Sequence, residues 1–421
     1  MRVLIFNQYA LPAGEPGITR HGEIGAELVK RGHTVTVIAS DFDYLSRRAT
    51  HRGGNAGVSD HHGVRFVWAK TGSYVANDRR RVASMIRYGL AATWAGVRSQ
   101  PRPDIVIGSS PQPLAPLAAS LMARYRRLPW VFEVRDIWPA ALLDMGAISR
   151  GGARHRLLER LERHLYSHAD AVVSVPPRGS LRLAELGLDV NKSTHIPNAA
   201  WRTETNSPEL PETLTRFLPV AQDRFVLVYT GAIGVMQDFD TVLAAISRLK
   251  QTHREHYQRL VVVIVGDGVA AATTARRAAE LGLDNLRVHP AVGKSTARSL
   301  LLHADACLLT LADADAFKYG LSPNKLFDYF AAAKPVLIAS AYPTLVDEVK
   351  AGIQYAPDDP ASLSHAIVSM MEMPEAERTT MGQRGRSLVQ TNYSVEVITD
   401  RYEALLEQMV AERWPSTGGQ S

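Results

Sequence analysis

Short apolar runs alternate with stretches of helical period from the first residues onward. VLIFN at 3–7, TVTVIA at 34–39, DIVIGS at 104–109 and WVFEV at 130–134 read as buried strands, and residues 18–31 carry the spacing of an amphipathic helix. This is the signature of repeated βα units around a parallel sheet. The periodicity lapses after Asn198, and residues 203–219 are rich in Thr, Glu, Pro and Asn. It restarts with FVLVYTG at 225–231, a helix from about Phe239, LVVVIVG at 260–266, a helix over 270–281, ACLLTL at 306–311 and PVLIAS at 335–340. The expected organisation is an α/β chain of two Rossmann-like domains facing across a cleft. Residues 1–200 form the first, 201–220 the linker and 221–393 the second. A long helix over 394–414 would return to the first domain, and residues 415–421 are expected to be disordered.

Composition narrows the chemistry. The 421 residues are 46% hydrophobic, enough for two cores, and no run approaches the 18 apolar residues of a membrane span. No signal-like block opens the chain, so a cytoplasmic protein is expected. The single cysteine, Cys307, rules out an internal disulfide or a cysteine metal cluster and reads as core. A net charge of +6 makes no general case for nucleic acid. The arginines are unevenly placed, however. Arg79, Arg80, Arg81, Arg87, Arg98 and Arg102 surround a helical stripe of Val82, Met85, Ile86, Leu90, Trp94 and Val97, with Arg124, Arg126 and Arg127 following. Such a helix suits a peripheral contact with an anionic membrane, while the plainer alternative packs the stripe into the core and leaves the arginines solvated.

Three places hold candidate chemistry. In FKYGLSPNKLFDYFAAAKP at 317–335, Lys325 and Asp328 fall at i and i+3 on a helix opened by Ser322 and Pro323, so they share one face near its positive end. A pyrophosphate would sit over the lysine and the helix start, and the carboxylate would take ribose hydroxyls. Alternatively Lys325 is a solvated first-turn lysine. In FEVRDIWP at 132–139, Glu133, Arg135, Asp136 and Trp138 gather at the end of a buried strand, where Arg135 would hold a phosphate or carboxylate and Asp136 would orient or deprotonate a hydroxyl. An internal ion pair of Arg135 with Glu133 or Asp136 would explain the same residues. The loop with Pro12, Gly14, Pro16 and Gly17, followed by Thr19, Arg20 and His21, offers backbone and helix N–H groups to an anion. Glycine turns at 231–234 and 266–268 admit close backbone approach. No G-x-G-x-x-G is present, which disfavours a nicotinamide enzyme.

Taken together, FEVRDIWPAALLDMGAIS, YTGAIG, VGDG and FKYGLSPNKLFDYFAAAKPV resemble a bacterial subgroup of glycosyltransferase family 4, of the GT-B fold. PGITRHGEIGAELVKRGHTVTVIAS and MGQRGRSLVQTNYS extend the likeness over nearly all of residues 1–405. The resemblance implies a retaining transfer of a hexose or N-acetylhexosamine from a nucleoside diphosphate sugar, usually of UDP, with no cofactor and no required metal. The implied acceptor is a glycan, a small molecule or a polyprenyl-linked sugar at the inner membrane face. Carried onto this chain, Asp328 matches the ribose-binding acid, Gly17 the loop that approaches the diphosphate, and Asn324 and Lys325 the SPNK motif. With Gly231, Lys318 and Ser322 these are the expected donor-binding residues. Arg20, His21, Glu133 and Trp138 are assigned to acceptor or positioning roles, and Asp136, Arg135 and Lys325 to catalysis. Three departures stand out. Gly320 occupies the place of a donor-sugar glutamate, Ala232 and the region of Gln237 and Asp238 replace an arginine–lysine clamp, and Arg135 replaces a histidine. A nucleotide-sugar 2-epimerase and a non-catalytic partner in glycan assembly remain the alternatives.

Overall fold

The computed structural model describes residues 1–15, 17–43, 48–49, 57–74, 79–200, 209–218 and 223–414. Pro16, residues 201–208 and 219–220 of the expected linker, and the tail at 415–421 lie outside them. The chain divides into two compact units: one of Met1–Asn198, Lys318–Ser322 and the residues from Val395 onward, the other of Ala199–Phe317 and Pro323–Ser394.

The first unit is built on an eight-stranded sheet. Its spatial order is Ser193–His195, Ala171–Ser174, Trp130–Val134, Ile105–Ser109, Arg2–Phe6, Thr34–Ser40, Val64–Ala69 and Val58–His61. All neighbours are parallel except the last pair. That antiparallel edge departs from the uniform βα reading. His62 and Gly63 both take positive φ, 53° and 78°, which makes the two-residue hairpin turn that a parallel connection cannot use. The central strands Arg2–Phe6, Ile105–Ser109 and Trp130–Val134 are buried beyond Arg2 and rich in Val, Ile and Phe, as a sheet covered on both faces requires.

The second unit has a six-stranded, all-parallel sheet. Its order is Leu286–His289, Leu260–Val265, Phe225–Thr230, Ala306–Leu309, Val336–Ala339 and Gly352–Tyr355. Each unit therefore has its first strand in the interior of the sheet, with strand order reversing beside it. In open α/β sheets this reversal is the switch point at whose carboxyl edge ligands bind.

The helix Arg79–Val97 runs opposite to the plainer sequence reading. Its inward row is Ser84, Tyr88, Ala92 and Gly96, and a Cβ on Gly96 would lie 2.6 Å from the Phe6 ring. The outward row is Val82, Ile86, Leu90 and Trp94, which are 55%, 49%, 71% and 62% exposed. Met85 is buried and Val97 packs partly against the core. The closing helix Val395–Arg413 belongs to the first unit, where Arg31 bonds Asp400 and Glu403 at 2.6 and 2.7 Å. Among the described residues no helix is long and apolar enough to cross a membrane.

Candidate functional site

At the switch point of the second unit, the strand Phe225–Thr230 ends beside the helix Asn324–Ala331. Tyr329 joins the two, its hydroxyl accepting the Thr230 N–H at 3.0 Å. Behind the helix, glycines of the Glu375–Asn392 helix allow close packing: a Cβ on Gly382 would meet the Ala333 carbonyl, and one on Gly385 would lie 2.5 Å from Phe330. The Lys325 Nζ consequently lies 2.5 Å from the Tyr229 hydroxyl and 4.1 Å from the centre of its ring. Tyr229 in turn donates to the Ala232 carbonyl at 2.5 Å, so its hydroxyl accepts from the ammonium. Among the described residues Lys325 pairs with no carboxylate. Desolvation lowers its pKa to about 7. A half-buried cation with no counter-ion among the described residues is a place where an anion is favoured.

Gly231 faces the same lysine. Its φ is 138°, and a Cβ there would sit 3.1 Å from Lys325 Cε and Nζ. The two glycine turns prove to be interlocked. A Cβ on Gly266 would strike the Gly231 carbonyl and one on Gly268 the Ile233 carbonyl, and Ile233 N–H bonds Asp267 O at 2.9 Å. Gly266 and Gly268 are thus explained by the approach of one turn to the other. Asn324 is exposed at the first position of the Lys325 helix, and Asp328 is half-buried one turn on. Ser322 does not open that helix: the N-cap is Pro323, without a side-chain cap, and the Ser322 carbonyl accepts from Asn198 Nδ2 at 2.7 Å within the first unit.

The first unit satisfies its polar residues differently. Glu133 is fully buried, and around it gather Arg20 Nε at 3.0 Å, His21 Nε2 at 3.0 Å, the Ser109 hydroxyl at 2.8 Å and the Tyr402 hydroxyl at 2.8 Å. Arg20 also donates to the carbonyls of Pro197 and Ile196. Asn7 Nδ2 meets His21 Nδ1 at 2.9 Å, which leaves the Nε2 proton toward Glu133. Burial alone would raise the Glu133 carboxyl, but Arg20, then His21 and Arg135, hold it well below the ordinary carboxylate range. Burial lowers the His21 pKa against the pull of Glu133. Arg20, His21 and Glu133, expected in acceptor or positioning roles, form an internal cluster whose charges answer one another. Tyr402 is the member that sequence reasoning missed, because it lies 269 residues from its partner.

Beyond this cluster, Arg135 is half-buried and Asp136 is exposed, and their backbone N–H groups face the Ser110 hydroxyl at 2.8 and 3.4 Å. Asp136 and Trp138 line an open hollow floored by Phe132, Val134 and Tyr166. Lys318, expected to bind the donor, forms a 2.8 Å ion pair with Glu185 inside the first unit. Gly17, with φ 125°, stands in a loop closed by Leu11 N–H to the Ile18 carbonyl at 2.8 Å. Gly22 makes room for that loop, since a Cβ there would lie 2.6 Å from the Leu11 carbonyl.

Comparison with known proteins agrees with this architecture. Residues 17–199 match the Glycosyl transferase 4-like domain, and residues 224–373 match Glycosyl transferases group 1. WbjE of Pseudomonas aeruginosa, described as a glycosyltransferase, is 24% identical over 74% of this chain and 76% of its own length. WcaI of Escherichia coli (strain K12), described as a colanic acid biosynthesis glycosyl transferase, is 24% identical over 95% of this chain and 99% of its own. Among solved structures, sucrose-phosphate synthase from Thermosynechococcus elongatus aligns with a TM-score of 0.75 at 15% identity, covering 98% of this chain and 100% of that one. HepE of Anabaena, solved with UDP and glucose, aligns at 0.66 and 13%, covering 97% and 100%. With both halves matched and the parallel sheets in place, the chain belongs to the glycosyltransferases of the GT-B fold, carrying a 4-like domain in its first half and a group 1 domain in its second.

Proposed function

We propose that this chain transfers a hexose or N-acetylhexosamine-type sugar from a nucleoside diphosphate, UDP, to a glycan or polyprenyl-linked acceptor at the cytoplasmic face of the membrane. The observation that carries the donor assignment is Lys325: a half-buried ammonium, with no carboxylate partner among the described residues, at the start of a helix beside the Gly231 turn. A diphosphate supplies the missing charge, and the free N–H groups of the helix start add to it. Asp328, one turn further on, takes the ribose hydroxyls. The UDP-bound state of HepE and the colanic acid role given to WcaI support the donor and polysaccharide parts of this reading.

The reaction proceeds with retention and without a resident metal. The bond between the anomeric carbon and the β-phosphate oxygen breaks as Lys325 and the helix start stabilise the departing diphosphate. The acceptor oxygen bonds to the anomeric carbon on the same face, and its proton passes to the leaving phosphate. Asp136 orients the acceptor hydroxyl, and Arg135 holds its phosphate or carboxylate. Lys325→Ala removes an interaction worth about 2.7–4 kcal/mol in the transition state, so turnover falls by at least about a hundredfold.

Thermal unfolding with UDP, GDP, ADP and their sugars tests the donor site. One nucleotide at 100 times its dissociation constant adds about 2.7 kcal/mol to the native chain. The same nucleotide should add little to Lys325→Ala. Equal stabilisation of both chains would place the donor elsewhere.

A further inference from the structure

We infer that the helices Arg79–Val97 and Leu114–Arg126 form a surface that docks on an anionic lipid bilayer. It stands on the first unit alone and does not depend on the donor assignment. The two helices run side by side in the same direction, since a Cβ on Gly89 would lie 3.5 Å from Leu114 Cβ and one on Gly96 3.1 Å from Met122 Cγ. The first turns Ser84, Tyr88, Ala92 and Gly96 inward and exposes Val82, Ile86, Leu90 and Trp94. From the second, Leu121 and Tyr125 project at 51% and 74% exposure. A soluble face has no reason to place its bulkiest apolar residues at the i, i+4 row away from the core.

The charges set the occupant. Residues 79–132 hold nine arginines and a single acid, Asp104, and that acid is taken by Arg2 at 2.5 Å. Arg87, Arg98, Arg124 and Arg127 are exposed. The Arg98 guanidinium stacks over Trp94, 4.2 Å from its ring centre. Nearby, Arg124 contributes to lowering the His164 pKa on the helix Ala153–His168, second to burial and His168, so the positive field reaches that helix too. Apolar side chains that enter the acyl boundary, with arginines at the level of the phosphates, match an anionic lipid surface better than a neutral one.

Flotation of the full chain with vesicles of phosphatidylcholine, alone or with phosphatidylglycerol, tests this. The native chain should float with the anionic vesicles and not with the neutral ones. The double variant Leu90→Ser/Trp94→Ser should bind them at least about tenfold more weakly, and Arg87→Ala/Arg98→Ala about tenfold more weakly. Circular dichroism and nucleotide stabilisation should remain native in both. Failure of the native chain to float with anionic vesicles overturns the inference. Undiminished binding by the Leu90/Trp94 variant also overturns it, leaving a site for polyanions such as nucleic acid. A dimer in sedimentation that this variant dissolves overturns it in favour of a second copy of the chain.

Discussion

The two units share an interior first strand with the chain reversing beside it, yet they treat charge at that edge in opposite ways. In the first, the carboxylate of Glu133 is answered entirely by protein groups: Arg20, His21, Ser109 and Tyr402. In the second, the ammonium of Lys325 is answered by a hydroxyl and an aromatic ring. One arrangement is closed and holds the fold. The other is incomplete until an anion arrives. The lesson is that a charged residue at the carboxyl edge of a sheet signals a ligand when no countercharge stands beside it among the described residues.

The largest effect that separates the units should come from Glu133→Gln. It leaves Arg20 buried without its carboxylate, which costs about 3–5 kcal/mol, measured by urea unfolding. Lys325→Met should leave unfolding of the ligand-free chain unchanged or make it harder, because a desolvated cation is removed with no partner to strand. A loss as large as that of Glu133→Gln would erase the distinction between the two sites.

Titration sharpens the same contrast. The folded pKa of Lys325, about 7, lies below the ordinary lysine value, so the folded chain binds fewer protons there than the unfolded chain. Its share of stability therefore rises with pH from about 7 to the ordinary lysine range. UDP affinity should move the other way. As the ammonium loses its proton above about pH 7, the affinity should fall by up to about tenfold per pH unit, read by calorimetry, and Lys325→Met should flatten the profile. The smallest effect belongs to Tyr229→Phe, which keeps the ring under the ammonium and removes the hydroxyl. A loss of about 1 kcal/mol, roughly fivefold in UDP affinity, is expected with little change in unfolding.

Much of this architecture was legible in the sequence because parallel strands and their helices announce themselves by local period. The proximity of Lys325 and Asp328 to a helix start followed from spacing three apart. What stayed hidden depends on distant partners. Nothing local to Arg20 indicates that Glu133, 113 residues on, and the Pro197 and Ile196 carbonyls engage it. The row of Ser84, Tyr88, Ala92 and Gly96 has the same period as the bulkier row beside it, and only the narrow space under Phe6 decides which faces inward. Gly320 is another such case. Its φ is 92° and a Cβ would lie 2.4 Å from Pro177 Cγ, so no glutamate fits there without moving the segment. Tyr229 was passed over because a tyrosine in an apolar strand reads as core.

The bond between Tyr402 and Glu133 also has a consequence for biosynthesis. A ribosome must add 269 residues after Glu133 before Tyr402 exists. At 5–20 residues per second that interval is roughly 15–50 s. The second unit is contiguous apart from the short Lys318–Ser322 excursion and can assemble as it emerges, whereas the earlier-made unit waits, with its buried charges incomplete, for the final helix. Birth order and completion order are reversed in this chain, and a stop codon placed before Val395 would damage the half of the protein that was translated first.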